Sequence, residues 1–114
     1  MEIHDKNNKI KKAFVDIDET ICFYESERVY ENAIPNHENI KKINNLYDQG
    51  WEITYWTARG STQPENASRL EYIRSITQKQ LVGWNAKFNF LIIGDQKPLF
   101  DLVVDDKSKR IEEL

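Results

Sequence analysis

The sequence predicts an α/β fold, a small Rossmann-like three-layer sandwich around a mainly parallel central sheet, and three observations predict it. Short apolar runs alternate with longer segments whose apolar residues recur every three to four positions, the signatures of buried strands and amphipathic helices. Alternation of that kind is satisfied by parallel strands joined through right-handed crossovers. Polar groups of catalytic type stand at or just beyond the ends of the expected strands. These are Asp16 and Asp18 after Ala13-Phe14-Val15, Thr57 closing the run from Trp51, then Lys97, and Asp105-Asp106 after Leu102-Val103-Val104. An open α/β sheet gathers its ligands at the carboxyl ends of its strands, so these groups are expected to converge on one crevice.

Lys11 to Asp16 reads as the first strand, with a continuous apolar run suited to burial on both faces. Ile21 to Ala33 mixes Phe23, Tyr24 and Tyr30 with Glu25, Glu27 and Arg28 in no clean period, and reads as a short flap or hairpin. Pro35-Asn36 opens a helix whose stripe is Ile40, Ile43, Leu46 and Tyr47, with Gly50 placed to end it. In the second strand, Trp51 to Thr57, Trp51, Ile53 and Tyr55 alternate with Glu52 and Thr54. A loop over Ala58 to Gln63 precedes Pro64, which suits a first helical turn because its missing N–H is not needed there. Ala67, Leu70, Ile73 and Ile76 mark that helix's buried stripe. Phe90 to Ile93 and Leu102 to Val104 complete the strands.

A chain of 114 residues has room for one domain, spanning 1–114. The net charge of −3 provides no basic footprint for nucleic acid. The single cysteine, Cys22, cannot form an internal disulfide, which points to a reducing compartment and a cytoplasmic location. Met1 to Lys12 is polar and charged, so neither a signal peptide nor a membrane span is expected there.

Asp16 and Asp18 stand two apart at a strand end, and in extended chain such residues share a face. Two carboxylates on one face repel unless a cation or a shared proton intervenes. Hard oxygen donors of this kind favour magnesium, which recruits substrate phosphate. Solvated loop acids, or the metal motif of a glycosyltransferase, are the other readings of an isolated Asp-x-Asp, and 114 residues leave little room for a nucleotide-sugar domain. The Thr57 hydroxyl and nearby N–H groups could hold phosphate oxygens. Lys97 precedes Pro98, which biases its backbone to an extended form. Asp105-Asp106 either meets a cation or caps a short helix from Lys107.

Together these four pieces resemble the haloacid dehalogenase-like superfamily, most of whose members are phosphohydrolases. Its motifs match Asp16, Asp18 and Thr20, then Thr57, then Lys97, then Asp105 and Asp106, over nearly the whole chain. Thr57-Ala58-Arg59 and the stretch from Lys97-Pro98 to Asp105-Asp106 look like a small group of capsular polysaccharide biosynthesis phosphatases. Two features depart from the pattern. Glu19 stands where many members carry glycine, placing a carboxylate at the pocket mouth. The segments that could hold a cap domain are too short, so an open site in a capless core is expected.

The resemblance implies a Mg²⁺-dependent phosphatase acting on a small phosphorylated metabolite, a sugar or polyol phosphate. It implies Asp16 as nucleophile, forming an aspartyl phosphate, and Asp18 as acid and base. Thr57 and Lys97 would hold the equatorial oxygens. Mg²⁺ would be bound by Asp16, the Asp18 carbonyl and Asp105, with Asp106 an orienting neighbour or a further ligand. Arg59 either contacts the substrate or pairs on the surface with Glu19 or Glu65. Two other classes remain in view. A receiver-like phosphoacceptor module has the same residue types, but there the acidic pair comes first. A small metal-dependent nuclease would leave Thr57 and Lys97 incidental. The flap's aromatics suggest a homo-oligomer with 21–33 near its interface.

Overall fold

The computed structural model describes residues 11–60, 66–94, 102–104 (backbone only) and 114. Lys97, Asp105, Asp106, Pro64 and Glu65 lie outside the described residues, as does the polar segment 1–10. The elements are β1 (Lys12–Asp16), β2 (Cys22–Phe23), a 3₁₀ turn (Tyr30–Asn32), β3 (Ile34–Pro35), α1 (His37–Asp48), β4 (Glu52–Thr57), α2 (Ala67–Gly83), β5 (Phe90–Ile93) and β6 (Leu102–Val104).

Four strands form one sheet in the order β5-β4-β1-β6, and every pair is parallel. Asp16 pairs with Trp56, Thr57 with Ile93 and Val15 with Val104. The chain steps from β1 to β4 to β5 along one side, then returns to place β6 on the other side of β1. That reversal between β1 and β6 is a topological switch point, where an α/β sheet opens a crevice beyond its strands' carboxyl ends. This is a small Rossmann-like α/β fold.

Internal strands explain one departure from the expected pattern. β4 was expected to alternate, with Thr54 outward, yet Thr54 is buried along with Ile53 and Tyr55. Residues on both faces of the two central strands are buried, as is usual for internal strands of a parallel sheet. Ala13, Phe14 and Val15 of β1 are buried for the same reason.

Both helices pack on one face of the sheet. Ala13, Val15, Ile17, Ile53 and Tyr55 meet Ile40, Ile43 and Leu46 of α1 and Leu81 of α2 in a single cluster. The third layer of the expected sandwich has no counterpart among the described residues. Asn36 caps α1 by accepting the Asn39 N–H at 3.0 Å. The helix ends in a Schellman turn: Gly50 sits at φ +97°, and the Gly50 and Trp51 N–H groups donate to Tyr47 and Leu46 carbonyls. The turn carries Trp51 into the core and leaves Tyr47, expected on the buried stripe, exposed.

α2 begins at Ala67, with Asn66 accepting the Arg69 N–H at 2.9 Å. Its buried residues are Ile73, Thr77 and Leu81. Ala67 is exposed and Leu70 and Ile76 are half-buried, so the stripe is displaced towards the helix C-terminus. Thr77 belongs to it because its hydroxyl donates to the Ile73 carbonyl at 2.7 Å and accepts from a buried cation.

The expected flap is an antiparallel pair of two-residue strands, with Cys22 opposite Pro35 and Phe23 opposite Ile34. No helix among the described residues is long and apolar enough to cross a membrane.

Candidate active site

Beyond β1 the chain turns sharply. The Thr20 and Ile21 N–H groups both donate to the Ile17 carbonyl, and Glu19 adopts φ +67°, a left-handed conformation that favours glycine. The turn bridges Asp18 to Cys22 and leaves the Asp18 carboxylate buried at the carboxyl end of the sheet. Asp16, two residues earlier, is half-buried at the strand end. Both acids line a cavity of about 170 Å³ with Arg28, Tyr30, Trp56, Ala58 and Arg59.

Asp18 is the hub of this site. Arg59 Nη2 lies 2.9 Å from Oδ1 and Arg59 Nε 3.1 Å from Oδ2, a forked charge-assisted contact. The Tyr24 hydroxyl donates to Oδ1 at 2.6 Å, and the Thr57 hydroxyl to Oδ2 at 3.3 Å. Burial by itself would raise the Asp18 carboxyl. The hydrogen bond and charge of Arg59 oppose it, with Tyr24 and Arg28 adding to them, and together they hold the group below its ordinary value.

Arg59 departs from the surface position expected for one of its two readings. It is 2% exposed, and Glu19 pairs with Arg28 at 3.2 Å instead. Besides its bonds to Asp18, Arg59 donates from Nη1 to Thr77 at 3.0 Å and Gln80 at 2.7 Å, and from Nη2 to Tyr24 at 3.1 Å. A guanidinium has five N–H groups, so all of them are engaged within the protein. Its carbon lies 4.8 Å from the centre of the Tyr30 ring, and Gln80 Nε2 donates to the Tyr30 carbonyl at 2.6 Å. Strand β4, helix α2 and the flap are thus tied to Asp18 through one buried cation. The next residue, Gly60, sits at φ +81° and passes so close to α2 that a Cβ would lie 2.9 Å from the Leu70 side chain.

Thr57 is fully buried, and besides donating to Asp18 its hydroxyl accepts the Arg59 N–H at 3.1 Å. Contact between this hydroxyl and a phosphoryl oxygen therefore requires Asp18 to give up its bond. Of the residues expected at the site, the structure brings together Asp16, Asp18, Thr57 and Arg59, while Lys97, Asp105 and Asp106 lie outside the described residues. Among the described residues no three His, Cys, Asp or Glu side chains are grouped to hold a metal ion. Asp16 and Asp18 are the described members of the expected magnesium set, and both Asp18 oxygens already accept hydrogen bonds.

Arg28, Tyr24 and Tyr30 lie in the flap, whose residues 22–33 were expected to shape specificity without individual roles, and Thr77 and Gln80 were missed altogether. Two tyrosines and an arginine within a short segment that directly follows the Asp-x-Asp pair are the signal that could have assigned the first three. Thr77 and Gln80 carry no such signal, since both look like ordinary polar helix positions. Tyr24 and Tyr30, expected near an oligomer interface, are half-buried and bonded to Asp18 and Arg59 of their own chain, while Phe23 and Val29 are the flap's exposed apolar residues.

No protein-family model matches the chain, and no curated protein matches it significantly. Its fold resembles that of a structural-genomics target from Vibrio cholerae, known from a crystal structure, with a TM-score of 0.71 and 23% identity. The match covers 91% of this chain and 86% of that one, and at such identity it is a likeness of fold.

Proposed function

We propose that this chain is a magnesium-dependent phosphomonoesterase of the haloacid dehalogenase-like type. Its substrate would be a small phosphorylated metabolite, a sugar or polyol phosphate used in capsule or other polysaccharide synthesis in the cytoplasm. The observation that carries the reading is the placement of Asp16 and Asp18 together in one cavity, at the carboxyl end of the strand beside the switch point.

In this reading an Asp16 oxygen attacks phosphorus in line, forming the P–O bond of an aspartyl phosphate as the bond to the leaving oxygen breaks. Asp18 gives that oxygen a proton and later takes one from the water that releases phosphate. Asp18 is held ionised in the unliganded protein, so it must first gain a proton. A dianionic phosphate in the same cavity favours that gain, because like charges raise a carboxyl's proton affinity. The hard oxygen donor at Asp16 suits magnesium. Asp105, which directly follows β6 in the sequence, would complete the set with the Asp18 carbonyl, and Asp106 would stand beside it. When bound, the ion would offset the phosphoryl charge.

The test is phosphate release from a panel of sugar and polyol phosphates, with Mg²⁺ and with excess chelator. Asp16→Asn should fold normally, release no phosphate and trap no phosphoenzyme. Release unaffected by chelator, or an Asp16→Asn protein as active as the wild type, would overturn the proposal.

A further inference from the structure

Two arginines line the cavity, and they are in opposite states. Arg59 is buried with every N–H engaged. Arg28 is half-exposed on the flap. Its Nη2 donates to Glu19 Oε1 at 3.2 Å, and its Nη1 stands 3.8 Å from Asp18 Oδ2. Its guanidinium carbon lies 5.2 Å from the centre of the Tyr24 ring, whose hydroxyl is itself fixed on Asp18. Arg28 is thereby kept at the cavity mouth between two carboxylates, and the one it hydrogen-bonds, Glu19, is a weakly held surface group, while Asp18 stands at the longer 3.8 Å. Glu19 in turn occupies a left-handed turn position where a glycine would bring no charge.

We propose that Arg28 is an anion-binding residue of this cavity, and that the Glu19 carboxylate is a latch that a phosphate dianion displaces. The inference rests on the phosphomonoesterase reading for the identity of the anion. A guanidinium fork matches two oxygens of a phosphate, and a dianion is a stronger partner than one half-exposed carboxylate. The exchange leaves Glu19 free to turn to water, since its side chain is already about half exposed. The latch thus screens the mouth until an anion of higher charge arrives, and favours phosphate over carboxylate ligands.

The test is calorimetric titration of inorganic phosphate into the full chain with Mg²⁺ present, for the wild type, Arg28→Gln, Glu19→Gln and the double variant. Arg28→Gln should weaken binding about tenfold or more. Glu19→Gln should tighten it about two- to fivefold. In the double variant the Glu19 effect should vanish, because it acts through Arg28. Unchanged binding by Arg28→Gln overturns the inference. So does a Glu19 effect of equal size with and without Arg28, which would mark a general field effect, and so does an absence of phosphate binding in all four proteins. If binding follows the cycle but no monoester is hydrolysed, the latch stands and the phosphatase reading falls. If monoesters are hydrolysed but binding ignores Arg28, the reverse holds.

Discussion

Replacing Arg59 by methionine keeps a long, flexible stem and deletes the guanidinium. Its loss leaves Asp18, whose side chain is 8% exposed, buried without its main counter-charge. It also leaves Thr77 and Gln80 without their donor. Removing one partner of a buried ion pair costs about 3–5 kcal/mol, against a total stability of about 5–15 kcal/mol for a domain. At about 4 °C per kcal/mol for a chain of this length, the melting midpoint should fall by about 12–20 °C. The pH dependence identifies the cause. In the wild type the Asp18 pKa is lowered, so its contribution is complete above the unfolded carboxyl value, about 3.9, and is lost as pH falls through the folded value. Without Arg59, its largest opposing partner, the desolvation that raises this pKa is less well offset by the remaining donors and by Arg28, so the variant's pKa rises. The gap between the two proteins should therefore be widest at pH 7 and narrow as pH falls towards 4. Asp18→Asn added to Arg59→Met should recover part of the loss by removing the stranded charge. Urea unfolding across that pH range measures all three proteins. A single variant within about 1 kcal/mol of wild type, or a gap that widens on acidification, would refute the reasoning.

Tyr24→Phe removes the 2.6 Å bond to Asp18 and should lower stability by about 1.5 kcal/mol in the same assay; an unchanged midpoint would mean that this bond does not hold the flap. Burial pushes the Cys22 thiol up to about 12, with the Asp18 charge adding to it. Iodoacetamide at pH 8 should therefore leave Cys22 unmodified in the folded protein while labelling it readily in urea, and equal rates would contradict the buried placement.

The strands were the legible part of the fold, because a short apolar run ending in acids or glycine has few other uses. Phe90–Ile93 and Leu102–Val104 have the bounds the sequence suggests. The meeting of Asp16, Asp18 and Thr57 followed from strand ends in a parallel sheet, without knowledge of any side-chain contact. The Arg59–Asp18 fork was not legible. Its partners are 41 residues apart, and charged side chains are rarely buried unless paired, so the sequence suggested substrate contact or a surface pair for Arg59 and not a buried fork. The stripe of α2 was misplaced because a threonine fills one of its buried positions through hydrogen bonds, which an apolar count overlooks. The flap has strands of two residues, too short for alternation to register; Ile21 and Cys22 anchor its base in the core, and polar contacts of Tyr24 and Tyr30 tie on the rest.

Those polar attachments decide which substitution can test the chemistry. Asp18 accepts from β4, from the flap and from a cation bound to α2. The flap is anchored in the core at Ile21 and Cys22, and its tip is held through that carboxylate and Gln80. Replacing Asp18 therefore disturbs the cavity wall along with any proton transfer, and lost activity in such a variant would have two causes. Asp16 is different. It ends a strand held by backbone pairing on both sides, with β4 and β6 alongside β1. An amide there preserves the shape of the side chain and leaves those backbone bonds intact. The proposed nucleophilic attack is therefore better tested at Asp16, where an amide keeps the backbone pairing of the strand, whereas the Asp18 hub reports first on how the flap, the second helix and the sheet are held together.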